Sequence, residues 1–331
     1  MRIRAISTAA AVAFAGTFLG LAPASPALAA SPVFDYPVDP AEAPDIYRDI
    51  PGTDISFDAK AGERSYLWSR NLTTTALSAL GPHENLGHTF AIRCSYADGT
   101  AFPEKVEAGA YWAANLVPPA EKSLTPGLRW MFTAPDDGRF TCKLSVVAYS
   151  TIIKNGRQVG MRIAAGAELG RLPVADGPRW TLPETSGTVV ARGATATTLG
   201  YTVTPGAGQR TTIVQDANLT TCMAKSRICD GGTAAYTYTK AETWIEAQPQ
   251  NADGALCGGP IKGPVAKWDI TDDRHHQSAT NTLNIDRDQL GGCTSVRTTL
   301  KVRNVDGNPV KIHAGTASGA IAATHGLAFT L

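Results

Sequence analysis

Charge imbalance and long apolar runs are both scarce in this chain. The 30 Lys and Arg residues nearly balance the 29 Asp and Glu residues, and the formal net charge is +1. A chain this close to neutral does not attract polyanions through bulk charge, so we expect no nucleic-acid partner. The apolar run at residues 9–21 is too short to cross a bilayer, so we expect no membrane span.

Helical periodicity and catalytic motifs are also missing. No window keeps apolar residues at i, i+3, i+4 and i+7 over several turns without Gly or Pro, which favours an all-β fold over a helical one. The Gly-x-Ser-x-Gly elbow of the common secreted esterases and lipases is absent. The sequence therefore predicts no catalytic residue, no metal site and no cofactor.

The N-terminus has the pattern of a secretory signal peptide. Arg2 and Arg4 precede the apolar run, and Ala27 and Ala29 supply the small residues that cleavage requires. We predict a signal peptide over residues 1–29 and a secreted, extracellular protein. The high Gly, Ala and Thr content favours a bacterial, actinobacterial source.

Six cysteines follow the signal peptide, an even number that suits disulfide bonding in an oxidising compartment. An internal repeat, described below, favours Cys94–Cys142, Cys229–Cys293 and Cys222–Cys257. A second scheme, with Cys222–Cys229 and Cys257–Cys293, keeps both loops of the second half short. Only the Cys94–Cys142 bridge is common to the two schemes.

Composition divides the exported chain into four segments. Residues 30–54 are rich in proline and predict a tether or an irregular edge. Residues 55–172 and 187–331 each carry strand-like stretches bounded by Gly, Pro and Asp, so we predict a β-sandwich domain in each. Residues 173–186 have three prolines around Trp180 and predict a linker between the domains.

The same order of landmark residues occurs in both halves. The first half has Cys94, Trp112, Trp130, Cys142 and Asn155-Gly156, and the second has Cys229, Trp244, Trp268, Cys293 and Asp306-Gly307. Both sets end with 14 positions between the last cysteine and the glycine. We interpret the landmarks as a tandem duplication in which each Asn-Gly or Asp-Gly pair forms a hairpin turn. A weaker echo, Asn71-Leu72-Thr73-Thr74 and Asn218-Leu219-Thr220-Thr221, does not fit that alignment.

One short segment resembles a known family. Asp136, Gly138, Phe140 and Cys142 are similar to the Asp-x-Gly-x-Tyr-x-Cys segment of immunoglobulin-like domains, with Phe140 in the place of the tyrosine. The resemblance implies two tandem disulfide-stapled β-sandwich (Ig-like) domains, with a bridge that crosses each core. It also implies a recognition or spacer role, because most such domains have one.

Two groups of side chains are candidates for ligand contact. Trp180 is the best candidate for an exposed or interdomain aromatic, since four other tryptophans belong to the repeated pattern and are expected in the cores. Asp272, His275 and His276 lie in the densest cluster of possible ligands. A third group, His83, Glu84 and His88, has the residue types of an acid-base site.

The sequence favours a secreted, non-catalytic binding protein whose partner is an extracellular protein or polysaccharide that the sequence does not identify. One alternative is an extracellular hydrolase acting on a surface polymer, which would require His83, Glu84, His88, Asp272 or His276 to converge in a cleft. Another is a secreted protease inhibitor using a loop that a Cys222–Cys229 bridge would brace.

Overall fold

The computed structural model describes residues 30–38, 47–81, 84, 86–103, 106, 108–116, 123–149, 159–182, 187–206, 208–223, 229, 235–314 and 321–330. Within these residues no α-helix occurs and almost all regular structure is β-strand, which confirms the predicted all-β class. None of these residues belongs to a helix with the length and apolar character that a membrane crossing requires. The predicted signal peptide and Asn155-Gly156 turn lie outside the described residues.

The chain forms two β-sandwiches, the first from β1 to β12 and the second from β13 to β24. The strands of the first sandwich are Phe34–Val38 (β1), Arg48–Asp49 (β2), Ile55–Ala59 (β3), Arg64–Arg70 (β4), Thr74–Ala76 (β5), Leu86–Tyr96 (β6), Gly109–Leu116 (β7), Ser123–Leu124 (β8), Arg129–Thr133 (β9), Gly138–Tyr149 (β10), Val159–Ile163 (β11) and Glu168–Val174 (β12). Those of the second are Arg179–Thr181 (β13), Thr188–Val190 (β14), Thr195–Val203 (β15), Arg210–Thr221 (β16), Tyr238–Gln250 (β17), Ile261–Lys262 (β18), Ala266–Thr271 (β19), His276–Asp286 (β20), Ser295–Gly307 (β21), Val310–Ile312 (β22), Ile321–Ala322 (β23) and His325–Thr330 (β24).

In the first sandwich, one layer has the order β3-β10-β6-β7, and we call it the β6 sheet. The other layer has two parts with matching order, β1-β11-β5-β8 and β12-β4-β9. The two parts continue each other along the chain, because β4 leads into β5, β8 into β9 and β11 into β12. We call this layer the β4 sheet.

The second sandwich repeats this order. Its β17 sheet runs β15-β21-β17-β19, and its β16 sheet runs β13-β24-β16-β20, with β22 and β14 beside the far end of β16. For this count β4–β5, β8–β9 and β11–β12 are each taken as one strand, and the short strands β2, β14, β18, β22 and β23 are left out. Each sandwich then has eight strands, and it joins its first, eighth, third and sixth in one sheet and its second, seventh, fourth and fifth in the other. This order is that of a jelly roll. The predicted tandem sandwiches are therefore present, with a strand order that differs from the immunoglobulin arrangement.

The favoured disulfide scheme is wrong, and the second scheme is observed. The bridges are Cys94–Cys142, Cys222–Cys229 and Cys257–Cys293. Cys94 and Cys142 lie directly opposite each other on β6 and β10, so this bridge joins neighbouring strands of one sheet and does not cross the core. The other two bridges close short segments of 7 and 36 positions.

The landmark residues of the proposed repeat do not occupy equivalent places. Trp112 lies on the fifth strand of its sandwich, whereas Trp244 lies on the fourth. Trp130 lies on the sixth strand, whereas Trp268 lies on the fifth. The discounted echo is the one that matches, because residues 71–74 connect β4 to β5 and residues 218–221 end β16, which is the third strand position in each sandwich. The two halves share topology, but their scarce residues lie at non-equivalent positions.

The predicted hairpin at Asp306-Gly307 is also wrong. β21 belongs to the β17 sheet and β22 to the β16 sheet, so the turn carries the chain from one layer to the other. Gly307 has a φ of 89°, and a Cβ there would lie 2.2 Å from the carbonyl oxygen of Tyr238. Glycine is therefore required by the close approach of β17 as well as by the turn.

Two predicted segment boundaries change. β1, expected in the N-terminal tether, pairs with β11 along its whole length and buries Tyr36 and Val38 in the first core. The expected linker, residues 173–186, contains strand residues, since 173–174 continue the pairing of β12 with β4 and 179–181 pair with β24. Pro183 to Ser186 lie outside the described residues.

Each sandwich has its own hydrophobic core. Leu67, Phe90 and Trp130 are among the fully buried side chains of the first, and Ile245 and Leu300 are among those of the second. Along β17 every second residue is buried, because successive side chains of a strand point to opposite faces. The side chains on the inner face form the core. The strand-like stretches of the sequence at residues 64–68, 89–96 and 129–133 lie within β4, β6 and β9.

The second sandwich covers the open edge of the β6 sheet at β7. β23 pairs with the start of β7 in parallel, with Ile321 opposite Gly109. Farther along, the Ser278 hydroxyl accepts a hydrogen bond from the Ala113 amide at 3.0 Å and donates one to the Ala113 carbonyl at 3.3 Å. The Ser278 side chain thus satisfies the backbone N–H and C=O groups of Ala113, which a neighbouring strand would otherwise do.

The edge of the β4 sheet at β9 is covered in a similar way. His325 Nε2 donates to the Arg129 carbonyl at 3.0 Å, and Arg179 Nη1 donates to the Met131 carbonyl at 2.8 Å. The Arg179 guanidinium also lies over the Trp130 ring, 4.2 Å from its centroid. Apolar contact completes the junction through four buried side chains, Met131, Val214, Leu327 and Phe329.

We predict that Ser278→Ala lowers the free energy of unfolding by about 1–3 kcal/mol, because it leaves the buried Ala113 amide without its hydrogen-bond acceptor. Urea unfolding of the purified protein measures this. Ser56→Ala is the matched control, since the Ser56 hydroxyl is exposed and shared with Thr141 at 2.8 Å. The control is expected to change stability by less than about 0.5 kcal/mol. Equal effects of the two substitutions would contradict a structural role for Ser278.

Candidate functional site

A pocket of about 180 Å³ opens on the outer face of the β4 sheet, beside the junction with the second sandwich. We call it the Trp68 pocket. Its lining residues are Tyr66, Trp68, Ser69, Gly127, Leu128 and Arg129. They come from β4, from β9 and from the segment that precedes β9.

Alternation along β4 places the aromatic side chains of the pocket. Ser65 and Leu67 are buried on the inner face, and Tyr66 and Trp68 point outward and are half-buried. Two aromatic residues separated by one position therefore share the outer face of the sheet. They form a continuous apolar surface on the side of the sheet that faces away from the first core.

The neighbouring strands shape the space around Trp68. Trp68 lies opposite Arg129 on β9 and opposite Gly170 on β12. A Cβ at position 170 would lie 2.5 Å from Cε2 of Trp68, so the indole lies over the glycine backbone. Any larger residue at 170 would push the ring away from the sheet.

The aromatic surface continues across the junction. Tyr66 stacks on Trp68 with ring centroids 5.2 Å apart and an interplanar angle of 17°. On its other side Tyr66 stacks on Phe329 of the second sandwich at 4.5 Å and 26°. The Arg70 guanidinium lies 5.2 Å from the Trp68 ring centroid. Both sandwiches therefore hold the Tyr66 ring in place.

Arg129 supplies the charge in the pocket. Its Nη1 donates to the Gly127 carbonyl at 3.4 Å and to the Thr280 hydroxyl of the second sandwich at 3.3 Å. Among the described residues no carboxylate forms an ion pair with it. Burial raises the pKa of the Tyr66 hydroxyl, and the nearby Arg129 charge opposes that effect. The pocket thus combines an aromatic surface with an arginine that forms no ion pair within the described part of the chain.

A second polar cluster lies at the same junction and contains four of the six histidines of the chain, His88, His275, His276 and His313. The Thr220 hydroxyl lies between two of them, 2.8 Å from His276 Nδ1 and 2.7 Å from His313 Nε2. The His276 amide donates to Asn115 Oδ1 of the first sandwich at 3.2 Å. This histidine cluster therefore includes groups from both sandwiches.

Burial keeps these imidazoles neutral. It lowers the pKa of His88 to about 4, and burial together with the Lys311 charge lowers the pKa of His313 to about 4. The pKa of His276 lies well below its ordinary value because of burial and then the neighbouring imidazoles. Burial lowers the pKa of His275 as well. At pH 7 the cluster is held together by neutral hydrogen bonds.

The structure brings together histidines that the sequence placed in separate groups. His88 and His276 both belong to the histidine cluster, where His276 bonds to Thr220. The Glu84 carboxylate accepts a hydrogen bond from the Gly81 amide at 2.6 Å in a local turn, and burial raises the pKa of Asp272. His83 lies outside the described residues. Within the described part of the chain, no three His, Cys, Asp or Glu side chains are arranged to hold a metal ion.

Trp180 is not an exposed aromatic. It is only 8% exposed, stacks on Tyr201 at 4.6 Å with an interplanar angle of 3°, and donates from Nε1 to the Leu199 carbonyl at 3.1 Å. It belongs to the second core, so the expectation of an exposed aromatic at this position is wrong. Trp244, expected in a core, instead lies half-buried on the outer face of the β17 sheet with Lys262 4.5 Å from its ring centroid.

The site residues predicted from the sequence do not include Tyr66, Trp68 or Arg129. The pair Tyr66-x-Trp68 carried a usable signal, because two aromatics with period 2 in a strand lie on one face while Leu67 takes the core. No local sequence pattern indicates that Arg129 lies beside these two aromatic residues. Its place opposite Trp68 depends on the pairing of β4 with β9. Along the chain these two strands are separated by β5, β6, β7 and β8.

We predict that the free energy of unfolding falls as the pH drops from 6.5 towards 4. Each clustered histidine has a folded pKa below its unfolded value of about 6.5, so stability is complete above that value and is lost as protons bind the unfolded chain preferentially. For His88, whose folded pKa is about 4, the loss amounts to about 3 kcal/mol. Urea unfolding between pH 7.5 and 4.5 measures it.

His88→Phe is the matching variant, because a ring is kept and the titrating group is removed. It is expected to remove the His88 part of the pH dependence and to leave the part that the other clustered histidines cause. Carboxylates with lowered pKa values, such as Asp286, act below the window and do not obscure the effect. A stability that stays constant from pH 7.5 to 4.5 in the unsubstituted protein would contradict the interpretation.

No protein-family model matches the chain, and no curated protein matches it. Among solved structures, a T13 viral particle of infectious bursal disease virus is 9% identical with a TM-score of 0.27, covering 91% of this chain and 73% of that chain. A Gt strain structure of the virus is 8% identical with a TM-score of 0.27, covering 89% and 79%. A VP2 subviral particle is 9% identical with a TM-score of 0.22, covering 92% and 77%. Likenesses with such low TM-scores assign neither a fold nor a function.

Proposed function

We propose that this chain is a secreted, non-catalytic binding protein whose ligand enters the Trp68 pocket. The three disulfides support an oxidising, extracellular destination, since bridges of this kind are rare in proteins of reducing compartments. The predicted signal peptide over residues 1–29 agrees with that destination.

The observation that carries the proposal is the joining of Trp68, Tyr66 and Arg129 in one concave site. Small-ligand sites are mostly apolar clefts with a few placed polar groups, often where two domains meet. Aromatic side chains on the outer face of a sandwich supply flat contact area for a ring. The pocket has this composition and this position.

The size of the pocket favours a polysaccharide over a protein partner. A stable protein interface covers roughly 800 Å² on each side. The Trp68 pocket, at about 180 Å³, instead accepts one ring-sized group. A polymer that presents the same small unit many times suits such a site, because each weak contact is repeated along the chain.

We predict that Trp68→Ala lowers affinity for the polysaccharide ligand about tenfold or more, because the ring contact is lost. Retention of the purified protein on extracellular polysaccharides immobilised as a panel identifies the ligand, and calorimetry measures the change. Trp244→Ala is the matched control, since Trp244 is a half-buried outer-face tryptophan of the other sandwich. Equal loss in both variants would contradict the assignment of the pocket. Release of new chain ends from a bound polymer would indicate the hydrolase alternative.

A second candidate function is protease inhibition, and the Cys222–Cys229 bridge favours it. That bridge closes a segment of 7 positions, and a brace of this kind lowers the entropy lost on binding. The sequence between the cysteines includes Lys225 and Arg227, although residues 224–228 lie outside the described residues.

We expect that, if this second function holds, one trypsin-like protease is inhibited and that replacing Lys225 and Arg227 together by Ala abolishes the inhibition. Assays of residual protease activity at increasing protein concentration measure this. Trp68→Ala is the control, because it lies on the other sandwich and is expected to leave inhibition unchanged. Lack of inhibition across a panel of serine proteases would rule out the inhibitor function and leave the binding proposal unaffected.

A further inference from the structure

The charge of the Trp68 pocket restricts its ligand. Arg129 is the charged residue among those that line the pocket. Two other arginines of this face have acidic partners, since Arg64 pairs with Asp176 at 2.7 Å and Arg70 lies 4.0 Å from Glu168. Arg129 forms no such pair in the described part of the chain, and its Nη1 is held by two neutral oxygens. Its charge therefore remains available for an anionic group of the ligand.

The strand register sets how that anion would be placed. Trp68 and Arg129 are directly opposite each other on β4 and β9. Side chains at opposite positions on the same face lie about 4.5–5.5 Å apart at Cβ. A ligand that reaches both must therefore carry its negative charge within a few ångströms of a flat ring face.

The volume of the pocket restricts the ligand further. About 180 Å³ is below the roughly 300–1,000 Å³ of sites that enclose drug-sized ligands. One six-membered ring with a small substituent suits this space. Guanidinium groups favour carboxylates and phosphates, because two N–H groups match the spacing of two oxygens.

We propose that the Trp68 pocket binds a uronate residue of an acidic polysaccharide, with the sugar ring against Trp68 and the carboxylate on Arg129. This inference rests on the proposed binding function and specifies its substrate class. An acidic peptide fits less well, because a carboxylate on an aliphatic stem would use Arg129 and leave the indole without a ring partner.

The sharpest test compares two forms of one polymer. Polygalacturonate and its fully methyl-esterified form have the same rings and linkages and differ in the carboxylate charge. We expect the purified protein to bind polygalacturonate and to bind the ester about tenfold to a hundredfold more weakly, since a charged hydrogen bond is lost. Raising the salt concentration is expected to weaken binding of the acid more than binding of the ester.

Variants separate the two contacts. Arg129→Gln is expected to lower affinity for the acid to that for the ester, whereas Trp68→Ala lowers affinity for both. Arg129→Lys keeps the charge and loses the two-pronged geometry, so an intermediate affinity is expected. Arg162→Gln is the matched control, since Arg162 is a surface arginine of the first sandwich that pairs with Asp35 at 2.7 Å, and it is expected to retain the preference for the acid. Thermal unfolding of each variant verifies that the junction contact to Thr280 is not needed for folding, and Arg129→Lys serves if Arg129→Gln unfolds.

Each outcome has one meaning. Equal binding of acid and ester that still depends on Trp68 overturns the uronate inference and leaves the proposed function in place. Stronger competition by polyglutamate than by polygalacturonate overturns the sugar assignment in favour of an acidic peptide. Binding of neither polymer overturns the uronate inference, and retention of another polysaccharide through Trp68 would then still support the proposed function.

Discussion

The structure depends on covering the open edge of the first sandwich. An edge strand presents a row of unpaired N–H and C=O groups, which attract other chains unless something satisfies them. Here β7 and β9 are the two edges, and the second sandwich provides β23, the Ser278 hydroxyl, the His325 imidazole and the Arg179 guanidinium to meet them. Side-chain groups therefore do at the junction what a neighbouring strand does inside a sheet. The relative placement of the two jelly rolls follows from this requirement.

A junction built from polar side chains has an electrostatic consequence. Side chains that hydrogen-bond at an edge become buried with it, and buried imidazoles remain neutral because charging them without full solvation is unfavourable. Thr220 satisfies two imidazoles at once, which gives their neutral forms a defined geometry. We therefore expect the contact between the sandwiches to depend on pH. Leu327 and Phe329 make apolar contact with the first sandwich, and this portion of the contact between the sandwiches does not depend on pH.

The Trp68 pocket is also a product of the junction. Tyr66 would be a free surface ring on an isolated first sandwich, and Phe329 of the second sandwich stacks on it and holds it in place. Arg129 is likewise oriented by Thr280. The site therefore uses residues of the first sandwich whose positions depend on the second. A binding surface of this kind does not require a deep cleft, because the rigid outer face of a sheet already presents alternate side chains at fixed spacing.

The sequence by itself determined what depends on near neighbours. Period-2 alternation, turn residues and β-branched content predicted strands such as 129–133 and 159–163, the all-β class and the presence of two sandwiches, because these signals act within one strand. Tertiary structure decided the pairing of the cysteines, the strand positions of Trp112 and Trp244, and the meeting of Trp68 with Arg129. Scarce residues are selected by local packing in each copy and so do not mark equivalent positions, and strand register is set by contacts between segments far apart in the chain. The histidine cluster is of the same kind, since His88 lies on β6 of the first sandwich whereas His275, His276 and His313 lie at the ends of β20 and β22 of the second.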